Sequence, residues 1–223
     1  GPGRLVAAHA ALITKNRILI NRYYSTLIEW KSPELSELKA ALRLSLRHQQ
    51  QGRCFYCRRV IKVERKNTSE DIEHFLDKSK AKYRKWAFSP VNLAIACHPC
   101  NFQKSTKDMG DNGISTASKI TTLAGEYTWL HPYFDDYFEN IEIEDGWFYK
   151  VKVGAPKPRR ARNLIAHCAL DSIRSTEKVG LDLSKRKSRL LVMVAYYMTR
   201  DPVKSARFLR HVAMLESEGW KYL

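Results

Sequence analysis

Cys97-His98-Pro99-Cys100-Asn101-Phe102-Gln103-Lys104-Ser105 decides how this chain folds. It repeats, after 39 intervening residues, the spacing of Cys54-Phe55-Tyr56-Cys57, and between the two pairs lies Asp71-Ile72-Glu73-His74. A CxxC turn points two sulfurs at one place, so Cys54, Cys57, Cys97 and Cys100 supply the four thiolates of a tetrahedral zinc. A site of that kind is closed and structural. Disulfide pairing is the weaker alternative, because no secretory signal precedes the cysteines and the composition suits a reducing, cytoplasmic setting. His98 could replace one cysteine as a ligand, and the lone Cys168 reads as a small buried hydrophobe.

Outward from this centre the pattern is mostly helical. Ser32-Pro33-Glu34 reads as a capped helix start, with Leu35, Leu38, Leu42 and Leu46 at helical spacing until Gly52. Residues 9–30, apolar with scattered bases, suit helix or strand and are read as helix. After Asp111-Asn112-Gly113, a loop, the alternation of Ile141, Ile143, Trp147, Tyr149, Val151 and Val153 around Asp145-Gly146 predicts a β-hairpin. Helices are predicted over roughly 159–170 and 184–199, and a last one opens at Asp201-Pro202 and ends at Gly219. The fold class is therefore α+β and mainly helical. Four segments follow: an N-terminal helical segment (1–53), a cysteine-bounded core (54–110), an acidic loop with the hairpin (111–153) and a basic helical region (154–223), with 154–158 as the linker candidate.

The formal charge of +16 on 223 residues is unevenly spread. Residues 1–53, 54–110, 111–150 and 151–223 carry net charges of +6, +6, −6 and +10, so an acidic strip from Asp135-Asp136 to Asp145 interrupts a cationic protein. A polyanionic partner follows from the cationic remainder, since phosphate neutralisation with counterion release supplies affinity; a solubilising surface is the bland alternative. No run of 18 apolar residues predicts a membrane span. The densest cationic stretch, Lys78, Lys80, Lys82, Arg84 and Lys85 with Tyr83 and Trp86, suits a nucleic-acid backbone. There the aromatics either stack on unpaired bases or anchor the loop in the core.

The stretch from Glu73 to Ser105 resembles the HNH family of endonucleases, whose ββα-metal core consists of two short strands and a helix. The elements that carry the likeness are Glu73-His74, Asn92-Leu93, and Cys97-His98-Pro99-Cys100-Asn101 with Lys104-Ser105. The resemblance implies a zinc-stapled ββα-metal nuclease core with an added hairpin, hydrolysing phosphodiester bonds in nucleic acid, DNA ahead of RNA. His74 would be the general base, and Asn92 would orient it or pin the loop between the strands. Glu73 and Asn101 would hold a catalytic Mg²⁺ or Mn²⁺, because oxygen donors suit hard cations. Lys104, one turn past the second cysteine pair, would contact phosphate. Neighbouring residues on a regular strand face opposite ways, however, so Asp71 and Asp77 remain rival ligands to Glu73. The chain as a whole is similar to the small HNH proteins of bacterial retron and Septu-type anti-phage systems, which implies an ATPase partner. The competing reading is a zinc-stapled module that binds nucleic acid without cutting it.

Overall fold

The structure is a computed structural model; it describes residues 3–63, 69–144 and 147–218, with the backbone alone over 174–183. It is an α+β chain, about half helical, with two small antiparallel hairpins. Two units are distinguished: Gly1–Glu142 with Tyr149–Leu170, and Ile143–Phe148 with Asp171–Leu223. The 154–158 stretch, the sequence's linker candidate, lies inside the first unit, and the chain passes to the second at Asp171.

The first unit is organised by helix α3 (Ser36–Gln49) and the strand pair β1 (Glu70–His74) and β2 (Leu93–Cys97). Leu38, Leu42 and Leu46 of α3 are buried with Leu35 of the preceding 3₁₀ turn, as their spacing predicts. Each such side chain stabilises the fold by about 1.5–3 kcal/mol relative to exposure. Arg43 and Arg47 of the same helix pair with the buried Glu70 at the start of β1, which fastens helix to sheet. β1 and β2 are antiparallel, with Ile72 opposite Ile95 and His74 opposite Leu93. Among the described residues β2 meets no strand at its other edge. There the buried side chain of Gln50 takes the place of one: its Nε2 donates to Ile95 O (2.8 Å) and its Oε1 accepts from Ile95 N (2.7 Å). A buried pair of edge-strand groups is thereby satisfied internally.

Helix α4 (His98–Lys104) follows β2 without a break and packs on both strands. The predicted 9–30 helix is split into α1 (Ala10–Lys15) and α2 (Arg17–Tyr24). At the break Asn16 turns its side-chain amide back onto Leu12 O (2.9 Å), competing with the backbone ladder. Ser32 does not cap α3; its hydroxyl accepts from Glu29 N instead (2.8 Å). Two short helices, α5 (Asn112–Thr116) and α6 (Tyr137–Asn140), are capped by Asp111 and Asp136. The second hairpin pairs β3 (Ile141–Glu144) with β4 (Phe148–Val151); its predicted turn, Asp145-Gly146, lies outside the described residues. Helix α7 (Pro158–His167) closes the first unit.

The second unit is dominated by α8 (Ile173–Tyr197) and α9 (Pro202–Glu218), packed on each other. α8 starts well before the predicted residue 184, because its first half is polar at most positions and leaves no periodic signal to read. Asp201 caps α9 through Lys204 N (3.0 Å), as the Asp-Pro start implies, while the Gly219 stop lies outside the described residues. Tyr197 stacks on Phe208 between the helices. Among the described residues no helix is long and apolar enough to cross a membrane.

Candidate functional site

The four paired cysteines meet. Cys54 and Cys57 lie on a tight turn closed by Cys54 N to Arg59 O and Arg58 N to Cys54 O (both 3.0 Å), and Arg58 takes a φ of 60° to make it. Cys97 ends β2, and Cys100 lies in the first turn of α4. All four sulfurs lie within 4.8 Å of one another, and Cys57 Sγ is 3.8 Å from Cys97 Sγ. Tetrahedral bonds of ~2.3 Å to one zinc require sulfur separations of about 3.8 Å. Burial pushes the Cys54 thiol well up, and a divalent cation is what makes clustered, largely buried thiolates tolerable. The four cysteines could thus hold a structural zinc.

Around them the structure adds partners that no spacing in the sequence announces. The hydroxyls of Tyr137 and Tyr149, from the predicted acidic segment, donate to Tyr56 O (2.8 Å) and Cys57 O (2.5 Å). Arg58 is buried beside the cysteines with its guanidinium over the Tyr137 ring at 4.2 Å, a positive charge suited to a cluster of thiolates. Cys168, at the end of α7, is buried. His98 is not among the clustered donors; its Nδ1 lies 3.0 Å from Asp71 Oδ2.

β1 then divides its side chains between two faces. Asp71 and Glu73 face α4. Asn101 Nδ2 donates to Asp71 Oδ2 at 2.9 Å, and one turn later Lys104 Nζ sits 2.6 Å from Glu73 Oε1. Lys104 also donates to His74 O (2.8 Å), and Tyr56 Oη donates to Glu73 Oε1 (3.1 Å). Lys104 is therefore not the surface phosphate ligand the sequence suggested: it is 2% exposed, because a carboxylate as buried as Glu73 requires a counter-charge. Burial pushes the Glu73 carboxyl up, against the pull of Lys104. Glu73 and Asn101, the expected ligand pair, share this face but have different partners. Asp77 instead closes a local turn onto Ser79 N (2.9 Å) and Ser79 Oγ (2.6 Å).

His74 faces the other way, as the regular strand register requires. Its ring packs edge-on against Trp30, with centroids 4.4 Å apart, and Trp30 leans on Phe88. Nε2 of His74 is buried with no hydrogen-bond partner among the described residues. Burial first, then the charges of Lys78 and Lys104, hold this imidazole well below its usual pKa, opposed by a hydrogen bond with the Ala87 backbone. The ring is neutral across physiological pH.

Asn92 pins the loop between the strands. Its Oδ1 accepts from Leu76 N (2.7 Å), and its Nδ2 donates to Leu76 O and Trp86 O (3.0 Å each). In that loop Tyr83 and Trp86 are buried, so they anchor it rather than offer stacking surfaces; Tyr83 Oη donates to Asp108 Oδ1 (2.6 Å) and contacts Gly110 O (2.7 Å). The loop's cations are largely engaged. Lys82 pairs with Asp108 (2.5 Å), Arg84 donates to Tyr23 O (3.1 Å), and Lys85 donates to Ser115 O and Ala117 O. Lys78 lies half-buried over Trp30, and Lys80 is half-exposed. The acidic strip is partly spent internally as well: Asp135 is buried against Arg160 (3.1 Å), and Asp136 caps α6.

The chain matches no family model, no curated protein and no solved structure.

Proposed function

We propose that β1, β2 and α4 form the ββα-metal core of an HNH endonuclease that hydrolyses phosphodiester bonds in nucleic acid, DNA ahead of RNA. One observation carries the reading: the antiparallel pair runs through a four-cysteine junction straight into α4 while holding at its end a neutral histidine, His74, whose Nε2 has no partner among the described residues. A buried ring nitrogen costs free energy when left unpaired, and a water or a phosphate-borne group would satisfy it. A neutral imidazole accepts the proton of an attacking water, which is the general-base role. Asn92 holds the loop that follows the base, and Lys78 adds positive charge beside it.

The oxygen donors for a hard cation are Asp71, Glu73 and Asn101, which share the α4 face. When bound, Mg²⁺ or Mn²⁺ would supply charge neutralisation at the scissile phosphate. Of the three, Asp71 and Asn101 are the more accessible, whereas Glu73 is closed by Lys104. The likeness to small HNH proteins of anti-phage systems extends the reading to a cytoplasmic defence effector that acts with an ATPase. The exposed apolar side chains of α8 and α9, among them Leu191, Val192 and Val203, offer such a partner a surface.

A second reading rests on the closure of both faces. With Glu73 sealed by Lys104 and His74 covered by Trp30, the same core could bind nucleic acid without cutting it. Plasmid DNA and total RNA incubated with the protein and its His74→Ala variant, with and without added Mg²⁺ or Mn²⁺, separate the two. Metal-dependent cutting that falls about a hundredfold or more in the variant is the expected result. Equal binding by both proteins with no cutting by either would leave the binding module.

A further inference from the structure

Trp30 belongs to no motif in the sequence, yet it is the aromatic that lies against His74. It occupies the turn between α2 and the 3₁₀ turn Pro33–Leu35, and its position is determined from two sides. Lys39 of α3 donates from Nζ to Trp30 O (3.0 Å), holding the backbone, and Phe88 supports the ring at 5.3 Å. Two ammonium groups attend the indole: Lys78 Nζ is 5.2 Å from its centroid and Lys39 Nζ 5.9 Å. Unlike Tyr83 and Trp86, which are buried, Trp30 retains part of its surface in solvent. Beneath it, Nε2 of His74 is more than nine-tenths buried and, among the described residues, unpartnered.

An aromatic surface flanked by cations is what a single-stranded nucleotide recognises, because the base offers a π-face and its phosphates need positive charge. A base inside a duplex has both faces covered by its neighbours and has none to offer. We propose that Trp30, Lys39 and Lys78 form a subsite for an unpaired nucleotide next to His74, the base stacking on the indole and the two ammoniums taking the flanking phosphates. The substrate class is then single-stranded or locally unpaired nucleic acid. This rests on the nuclease reading of His74 only for the consequence of binding, since the subsite itself would serve a binding module equally.

Fluorescence anisotropy of labelled oligothymidylate and oligouridylate, beside a blunt DNA duplex, tests it without added Mg²⁺ or Mn²⁺, so that binding is scored whether or not the protein cuts. Trp30→Leu keeps an apolar cover over His74 and removes the ring, while Trp30→Phe keeps an aromatic. The Leu variant should lose about tenfold or more in affinity for the single strands and less than about twofold for the duplex, and the Phe variant should retain most single-strand affinity. Equal behaviour of the Leu and Phe variants, or equal losses on single strands and duplex, would overturn the subsite. Retained zinc and unchanged melting of both variants are required for the comparison; should Trp30→Leu fail to fold, Lys39→Ala and Lys78→Ala give the same single-strand-selective loss or overturn the proposal. Absence of cutting with the selective loss intact would remove the nuclease reading and leave the subsite standing.

Discussion

Glu73 and His74 are adjacent in sequence and equally buried, yet the two faces of β1 treat them in opposite ways. On the α4 face Glu73 is matched with Lys104 at 2.6 Å and with the Tyr56 hydroxyl, so the burial of one charge is answered by another. On the Trp30 face His74 meets aromatic carbon and two like charges nearby, and the cheaper solution is to lose its proton. The difference shows how one strand can hold a paired charge and a neutral base a single residue apart: the pleat sends them into environments of opposite polarity.

Removing the cysteine cluster should break both faces together, since each depends on the junction of β2 with α4. Cys54→Ser is expected to lose zinc and cooperative melting, because thiolate ligation of a structural zinc contributes on the order of 10 kcal/mol of folding free energy. Metal analysis with calorimetry checks this, and a variant that keeps both zinc and its melting transition would show that the sulfurs are not ligands.

The α4 face alone should yield to Lys104→Ala. Glu73 would be left buried and unpaired, at a cost of about 3–5 kcal/mol. Adding Glu73→Gln should restore much of that loss, since the neutral amide removes the orphaned charge. Urea titration of the three variants measures it; an additive double variant would mean that the two side chains do not interact.

Acid should sharpen the contrast, for the two faces respond with opposite signs. The folded pKa of His74 lies below the 6.5 of the unfolded chain, so the unfolded state binds the extra proton as pH falls, and stability drops below pH 6.5. Glu73 has a raised folded pKa, so the folded state takes up its proton first and the penalty for burying the carboxylate is relieved on acidification. His9, buried and held at about 4, and His131, held well below its usual value by burial and by Arg160, act in the same direction as His74. His74→Gln should flatten the stability profile below pH 6.5 by up to ~1.4 kcal/mol per pH unit, the value of one proton. Melting of the variant and the parent from pH 7.5 to 5 tests this, and parallel profiles would mean that His74 is not buried neutral.

Where the sequence was legible, the information was local. The leucines of α3 repeat at the helical period, and the alternation around the second hairpin is the two-residue period of a strand, so each element could be read from its own residues. Two CxxC pairs carry their geometry in their spacing, and the sulfurs cluster as that spacing implies. The break at Asn16 was not legible from apolar periodicity, because a side-chain amide competing with the backbone leaves the pattern of apolar residues unchanged. Lys104 resembled a surface residue by type and Tyr83 fitted stacking or anchoring equally; nothing near either in the sequence reveals Glu73 31 positions earlier or Asp108 25 positions later.

By itself, then, the sequence determined a leucine-faced helix leading into a cysteine turn and a second cysteine turn at matched spacing, whereas the strand carrying Asp71, Glu73 and His74 and the helix at the second cysteine pair were expected only from the family resemblance. Tertiary structure decided which partner each of these side chains meets. Asp71 was given to Asn101, Glu73 to Lys104 and His74 to Trp30 by the docking of α4 on one face of the strand and of the turn after α2 on the other. The physical reason is that period and spacing describe a chain along one dimension, whereas burial, counter-charge and the protonation of a histidine depend on what is brought near in three.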